Sequence, residues 1–329
     1  MTGNTLSRLE AADFIDRSQR PNPRYYGDAL VEAARRDPRI TCLTADLAAP
    51  TETDLFRDTF PDRFYQVGIA EANMIGVAGG MARCGDIPFV HSFCVFATKR
   101  CFDQITMQAG YPNLPVKIVG FLPGVSTLLG VSHQAIEDVA LMRAVPNMLV
   151  IEPTGPEQFA AAVQAALDHD GPAYLRMKRP ETPPEGPVTQ VPLTIGKGTL
   201  LRSGPALTII AAGMSVPHAL GAAEVLAAEG VDASVVNMAS LKPIDAELIL
   251  ERAKATGAIV TAENHTVIGG LGSAVAEVLC DAGIGLPFRR VGLQDCYAEG
   301  GSTPYLFKKY GIDASAIAAA ARAVFAAKG

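Results

Sequence analysis

Glu71 stands in the run Phe64-Tyr-Gln-Val-Gly-Ile-Ala-Glu-Ala-Asn-Met74, where a β-rich segment breaks at Gly68 and a helix of small residues begins with an acid in its first turn. Helix N-termini favour acids electrostatically, so a plain helix-start residue is the commoner explanation for such a carboxylate. The helix behind it argues for more. Residues 74–82 read Met-Ile-Gly-Val-Ala-Gly-Gly-Met-Ala, almost without polar side chains. Such a helix is expected to be buried all round, with its acid at the edge of a dry interior. A carboxylate there needs a partner. Unpaired, it is driven toward its neutral form, which is what general acid/base chemistry requires.

Five histidines are available to work with it: His91, His133, His169, His218 and His265. None is paired at His-x-x-x-His spacing, which argues against a zinc site. His169 and His218 fall on helices expected to be exposed and are read as inert. His91 follows a strand, His133 precedes the helix beginning at Gln134, and His265 comes after the strand Ala258-Ile-Val-Thr-Ala-Glu-Asn. All three therefore fall near C-terminal strand ends or helix starts, where open α/β sheets bind ligands. A satisfied loop histidine is an equal alternative for each. Phe93 and Phe96 are either core or a surface on which a flat heterocycle stacks.

Other chemistries are poorly represented. Gly270-Leu-Gly272-Ser lacks the third glycine of a dinucleotide fingerprint and is read as close helix packing. The chain carries no phosphate-binding Gly-x-x-x-x-Gly-Lys-[Ser/Thr] loop and no Gly-x-Ser-x-Gly nucleophile elbow. A net charge of −6 with scattered basic residues excludes nucleic acid as a main partner. Six cysteines show neither Cys-x-x-Cys pairing nor the density of a disulfide scaffold. The N-terminus has no secretory apolar run, and no segment approaches the ~20 apolar residues of a membrane span. A cytoplasmic protein without membrane contact is expected.

The elements that must position these residues follow from the apolar pattern. With 329 residues, 49% apolar and 19% charged, the chain is long enough for two domains with a large core. Residues 1–23 are polar and form an expected N-terminal arm. Over 24–180, apolar strands at 40–44, 89–92, 116–120 and 148–151 alternate with helices at 25–37, 71–84, 97–110, 134–144 and 156–169. Continuous apolar strands between helices predict a mostly parallel sheet covered on both faces. Residues 181–205 are rich in Pro, Gly and Thr and read as a linker. A second series over 206–329 has strands at 206–212, 233–237, 257–262 and 288–292. The fold class is thus α/β, with two doubly wound domains.

Several strings together resemble the C-terminal half of transketolase, and more closely the separate second subunit of bacterial two-subunit transketolases. They are Thr44-Ala-Asp-Leu47, Gly68-Ile-Ala-Glu-Ala-Asn-Met74, Ser132-His-Gln-Ala-Ile-Glu-Asp138, Pro146-Asn-Met148, Leu241-Lys-Pro-Ile-Asp245, Glu263-Asn-His265 and Gly269-Gly-Leu-Gly272. The match runs from about residue 24 to the end. It implies a pyrimidine-binding domain of a thiamine-diphosphate enzyme, followed by a transketolase C-terminal domain.

The resemblance also implies roles. Glu71 becomes the acid that bonds N1′ of the aminopyrimidine and so promotes loss of the thiazolium C2 proton. Phe93 and Phe96 match the aromatics that stack on that ring, with Lys99 where a third aromatic is common. His133 matches the histidine facing substrate hydroxyls, and Arg179 the arginine that binds a substrate phosphate. Arg24 is a weaker second candidate for that anion, His91 and His265 are further substrate-side candidates, and Asp46 matches a residue near the cofactor at the subunit interface. The reaction implied is transfer of a two-carbon ketol unit from a ketose to an aldose.

Two departures qualify the match. The Gly-Asp-Gly motif that anchors the diphosphate through Mg²⁺, with Asn roughly 25 to 30 residues on, is missing. The metal and diphosphate must then be held by an α subunit, with α2β2 the expected assembly. The stretch Pro123-Gly-Val-Ser-Thr-Leu-Leu-Gly-Val-Ser-His133 replaces a Gly-Glu-Asp-Gly loop with apolar residues, so the donor sugar is left open. The β subunit of a 2-oxoacid dehydrogenase and a non-catalytic interaction subunit are the alternatives.

Overall fold

The computed structural model describes residues 24–179 and 192–328. The expected arm, residues 1–23, and residues 181–191 of the expected linker lie outside them. The first unit contains α1 (Tyr25–Arg36), β1 (Ile40–Thr44), α2 (Asp54–Thr59), β2 (Phe64–Gln66), α3 (Glu71–Arg83) and β3 (Ile87–Phe93). It continues with α4 (Cys94–Thr98), α5 (Phe102–Ile105), β4 (Lys117–Phe121), α6 (Asp138–Ala144), β5 (Leu149–Ile151), α7 (Phe159–Asp168) and β6 (Ala173–Met177). The second unit has β7 (Thr199–Arg202), β8 (Leu207–Ala211), α8 (Ser215–Ala228), β9 (Ala233–Asn237), β10 (Ser240–Lys242) and α9 (Ala246–Thr256). After these come β11 (Ile259–Thr266), α10 (Leu271–Asp281), β12 (Phe288–Leu293), α11 (Thr303–Lys309) and α12 (Ala314–Ala326). No helix of the described residues is long and apolar enough to cross a membrane.

The seven-stranded sheet has the order β10-β5-β6-β4-β3-β1-β2. Every pairing in it is parallel except β10 with β5. β1, β3, β4 and β6 are buried along their whole length, as strands covered on both faces must be. The five-stranded sheet runs β12-β11-β8-β9-β7, with β7 antiparallel at its edge. β7 falls in the expected linker. Its four residues are half-exposed or exposed, so this edge strand carries little of the apolar pattern that marks the buried ones.

The two units are sewn together. β10 comes from the second stretch of chain yet completes the first sheet. One continuous apolar core joins Val119, Met148 and Val150 to Met238, Leu241, Leu271 and Val275. A second core, under α8 and α12, takes in Val125 and Ile136 from the first unit. The segment between β4 and α6 is therefore pinned by the second unit's interior, and burying each such side chain is worth about 1.5–3 kcal/mol.

The expected helix over 97–110 is broken into α4, a 3₁₀ turn at Lys99–Cys101, α5 and a π-helical turn at Thr106–Gly110. Helix α3 presses on the last of these so closely that a Cβ on Gly79 would lie 2.9 Å from the Gln108 carbonyl oxygen. Similarly, a Cβ on Gly120 of β4 would lie 2.9 Å from the Cα of Cys94. The bare glycine lets α4 ride directly on the sheet and sets where Phe93 and Phe96 stand.

Candidate active site

The C-terminal ends of the parallel strands gather the sequence-selected residues on one edge. Asp46 follows β1, Glu71 follows β2, Phe93 ends β3, the 122–137 segment follows β4 and Arg179 follows β6. This is the edge at which open α/β sheets bind ligands.

Glu71 opens α3 and is 1% exposed. Its partner is Arg100, whose Nη1 donates to both carboxylate oxygens at 3.0 Å. Ser92 Oγ, on β3, lies at the limit of hydrogen bonding, 3.5 Å from Oε1. The Arg100 guanidinium carbon lies 4.2 Å from the centre of the Phe96 ring. Phe93 and Phe96 are 6.2 Å apart between centroids, and the His133 ring meets Phe96 edge-on at 5.2 Å. A buried acid, two aromatic rings and a histidine thus converge from three separate strand ends.

His133 is half-buried, with Nδ1 2.9 Å from Ser132 Oγ. Burial, and then the charge of Arg100, hold its pKa below 6.5, so the ring is neutral at pH 7. Lys99, standing where a third aromatic was expected, pairs with Glu137 at 2.7 Å.

The segment carrying His133 is held from beneath. Gly124 and Ala135 exchange backbone hydrogen bonds at 2.9 and 3.0 Å. Arg176 is wholly buried and donates to Asp138 at 2.7 and 3.0 Å, to Glu152 at 2.7 Å, and to the carbonyls of Ala135 and Asn264 at 3.0 and 2.9 Å. Burial opposes charge on Asp138, but the Arg176 cation and its hydrogen bonds win and hold that carboxyl low. Glu152 has only one bond to the same arginine, and burial raises it. Gln134 Nε2 donates to the Glu299 carbonyl at 2.9 Å, tying the segment to the loop before α11.

The remaining candidates are placed as follows. Asp46 is exposed, with φ of 61°, and its amide donates to Gln66 Oε1 at 2.7 Å. Arg24 lies just before α1 and is committed to the Asp54 carboxylate. Arg179 is half-buried two residues beyond β6.

Two expectations need correction. His91 does not follow its strand; it lies inside β3, fully buried under α1, 2.6 Å from the Tyr26 hydroxyl and 3.0 Å from the Leu43 carbonyl. Burial pushes its pKa down to about 4. His265 also lies within its strand, because β11 continues to Thr266. It is sealed between Asp138 and Glu263, its Nδ1 donates to the Thr266 carbonyl at 2.7 Å, and burial lowers it to about 4. Neither ring reaches the cluster around Glu71.

Arg100 escaped the sequence reading. It follows Phe96 by four residues, the spacing that places two side chains on one helical face, yet nothing in that spacing points to Glu71. The glycines near 270 do serve close packing. A Cβ on Gly270 would fall 2.0 Å from Glu263 Oε2, and that carboxylate accepts the Leu271 and Gly272 amides at 2.7 and 2.8 Å.

The chain and its two domains are similar to known proteins. Residues 22–185 match the transketolase pyrimidine binding domain and residues 196–317 the transketolase C-terminal domain. The chain is 47% identical over 301 residues to the 6-deoxy-6-sulfo-D-fructose transketolase subunit SqwH of Clostridium sp. (strain MSTE9), covering 91% of this chain and 92% of that one. It is 37% identical over 308 residues to 1-deoxy-D-xylulose-5-phosphate synthase 1 of Geobacter sulfurreducens, covering 92% of this chain but 48% of that one. Among solved structures it matches a split-gene transketolase described as an inactive beta4 tetramer, at 46% identity and a TM-score of 0.84, covering 93% and 98% of the two chains. The transketolase of Pichia stipitis, at 20% identity and a TM-score of 0.72, shares the fold.

Proposed function

The chain belongs to the transketolase family, and on that premise we propose that it is the β-type subunit of a heteromeric, thiamine-diphosphate-dependent transketolase. It transfers a two-carbon ketol unit from an anionic ketose to an aldose. The observation that carries the reading is the convergence of Glu71, Phe96 and His133: Arg100, 3.0 Å from the acid, lies 4.2 Å from the Phe96 ring centre, and that ring meets His133 at 5.2 Å.

The residues present fit an aminopyrimidine. The buried carboxylate of Glu71 stands beside the Phe96 face, where a flat cationic group already stacks. Thiamine diphosphate, when bound, supplies the nucleophilic carbon that carries the two-carbon unit. With the cofactor bound, the Glu71 carboxyl would share a proton with the pyrimidine ring nitrogen. Phe93 and Phe96 orient the ring. His133 is neutral, and its Nδ1 faces Ser132 Oγ; its Nε2 is the atom that exchanges a hydrogen bond or proton with a substrate hydroxyl.

Arg179, with Arg24 as the weaker second, binds the anionic end of the ketose. A sulfonate tail, as in the substrate for which the Clostridium relative is named, and a phosphate tail have the same charge-assisted chemistry. Diphosphate and Mg²⁺ fall to an α partner, since the chain lacks the Gly-Asp-Gly motif, and an α2β2 assembly closes two sites at interfaces.

Ketol transfer by the chain co-purified with its partner, from a phosphorylated ketose and from 6-deoxy-6-sulfo-D-fructose, tests the reading. Activity of this chain alone, or activity unchanged in Glu71→Gln, would sink it. Decarboxylation of pyruvate without ketol transfer would move the chain to the deoxyxylulose synthase or 2-oxoacid dehydrogenase branch.

A further inference from the structure

Among the described residues, Arg100 holds both working surfaces of the site at once. Its Nη1 is 3.0 Å from each Glu71 oxygen, and its guanidinium carbon is 4.2 Å from the Phe96 ring centre. Guanidinium is flat, delocalised and weakly hydrated, so it stacks on aromatic faces and bonds carboxylates with the same atoms. An aminopyrimidine bonded to Glu71 and stacked on Phe96 needs those same two neighbours. We propose that Arg100 is a resident gate of the cofactor site: its guanidinium occupies the seat of the pyrimidine ring and must swing out before the cofactor can bind.

The surroundings explain both halves of that behaviour. Glu71 is 1% exposed, so without an opposing charge its carboxylate would be left buried and unpaired, which is costly. Arg100 is 46% exposed and lies in the short 3₁₀ turn between α4 and α5. Its tip can turn to solvent without opening the core. Lys99, the adjacent cation, cannot replace it at the acid while it is paired with Glu137 at 2.7 Å. Arg100 therefore seals the acid in the cofactor-free chain. The apparent cofactor affinity is the intrinsic affinity scaled by the fraction of molecules with the gate open.

This inference rests on the thiamine assignment, and one set of titrations separates the two. Binding of thiamine diphosphate with Mg²⁺ to the assembled complex is measured by calorimetry for the wild type, Arg100→Met, Arg100→Lys and Glu71→Gln. Met keeps an unbranched stem and removes the guanidinium, so Kd is expected to fall about tenfold, as for a gate closed about nine-tenths of the time. Lys keeps the charge but not the flat stack, and an intermediate tightening of about threefold is expected on the same scale. The cofactor-free Arg100→Met complex should also melt below the wild type, with the loss restored in the double variant with Glu71→Gln.

Equal or weaker binding in both Arg100 variants would overturn the gate and show that the guanidinium assists the bound cofactor instead. Should Arg100→Met fail to fold, the Lys variant decides by itself. Absence of binding to the wild-type complex would overturn the thiamine assignment, and the gate with it, before any variant is compared.

Discussion

The side-chain amide of Asn264, on β11, spans the backbone on either side of Gly124: its Nδ2 donates to the Pro123 carbonyl and its Oδ1 accepts the Val125 amide, each at 3.0 Å. Gly124 has φ of 57°, and a Cβ there would fall 2.1 Å from Asn264 Oδ1. Since Gly124 in turn pairs with Ala135, a second-unit side chain sets the position of the segment bearing His133. Asn264→Ala leaves the buried Val125 amide unpaired, while the Pro123 carbonyl keeps its bonds from Ser126, and a loss of about 1–3 kcal/mol in stability is expected by denaturant titration. The same variant should lower kcat/KM for ketol transfer while leaving thiamine diphosphate affinity within about twofold of the wild type. A parallel loss of cofactor affinity would mean that Asn264 supports the whole sheet edge and not this segment.

The buried charges at the junction predict a pH profile of stability. Burial raises Glu263 to about 7 despite its bonds to the Gly272 and Leu271 amides, and lowers His265 to about 4. For Glu263 the folded pKa lies above the unfolded one, near 4.5. Its contribution is thus full below about pH 4.5 and is lost as pH rises through 7. For His265 the folded pKa lies below the unfolded one, near 6.5, so its contribution is full above that pH and lost as pH falls through 4. Asp138, Glu152 and Arg176 face the same pair and fix the background charge. Glu263→Gln should flatten the decline between about pH 5 and 7.5, an effect on the order of 2–3 kcal/mol, in denaturant titrations across that range. An unchanged slope would mean that Glu263 stays ionised in its amide cradle.

Arg176 offers a larger effect. It is the shared counter-ion of Asp138 and Glu152 and donates to two carbonyls besides. Arg176→Met leaves two buried carboxylates unpaired, and removing one partner of such a pair costs about 3–5 kcal/mol. Asp138→Asn, which keeps most of the shape and relieves one negative charge, should recover part of that loss in the double variant. If the two losses simply add, the ion pairs are not coupled.

Burial of Glu71 was legible in the sequence because its signal is local. The acid of α3 is buried, but the helix is not buried all round as expected: Asn73, Gly76, Val77 and Gly80 are exposed, the small residues lining an outer face as well as the inner one. Phe93, Phe96 and His133 stand with ring centroids 5.2–6.2 Å apart. His265 was misplaced by strand length, and His91, inside the strand expected over 89–92, was misread as lying at its end. β3 runs to Phe93 and β11 to Thr266, so both rings lie within the ladders, where alternation turns them inward. Arg100 was missed because its partner Glu71 lies 29 residues earlier, a pairing that only the packing of α3 against the chain after β3 creates. The edge strand β7 was hidden by half-exposed residues in a Pro- and Gly-rich setting.

His133 ties the gate to catalysis through charge. Burial and the Arg100 cation both hold its pKa below 6.5, so its neutral form persists to lower pH than that of a free histidine. The acid limb of kcat/KM for ketol transfer is therefore expected below pH 6.5. In Arg100→Met the second cause is removed, but the gate already turns that cation away in the loaded enzyme, so burial alone sets the limb and it should move little. His133→Asn should abolish this limb and lower kcat/KM by about tenfold to a hundredfold, the range for losing a hydrogen bond to a substrate hydroxyl. Thiamine diphosphate affinity should stay near that of the wild type, since His133 meets the aromatic pair only by an edge. A limb displaced well toward 6.5 in Arg100→Met would place the cation beside His133 in the loaded enzyme, against the gate, and a limb that persists in His133→Asn would remove His133 from the proton path.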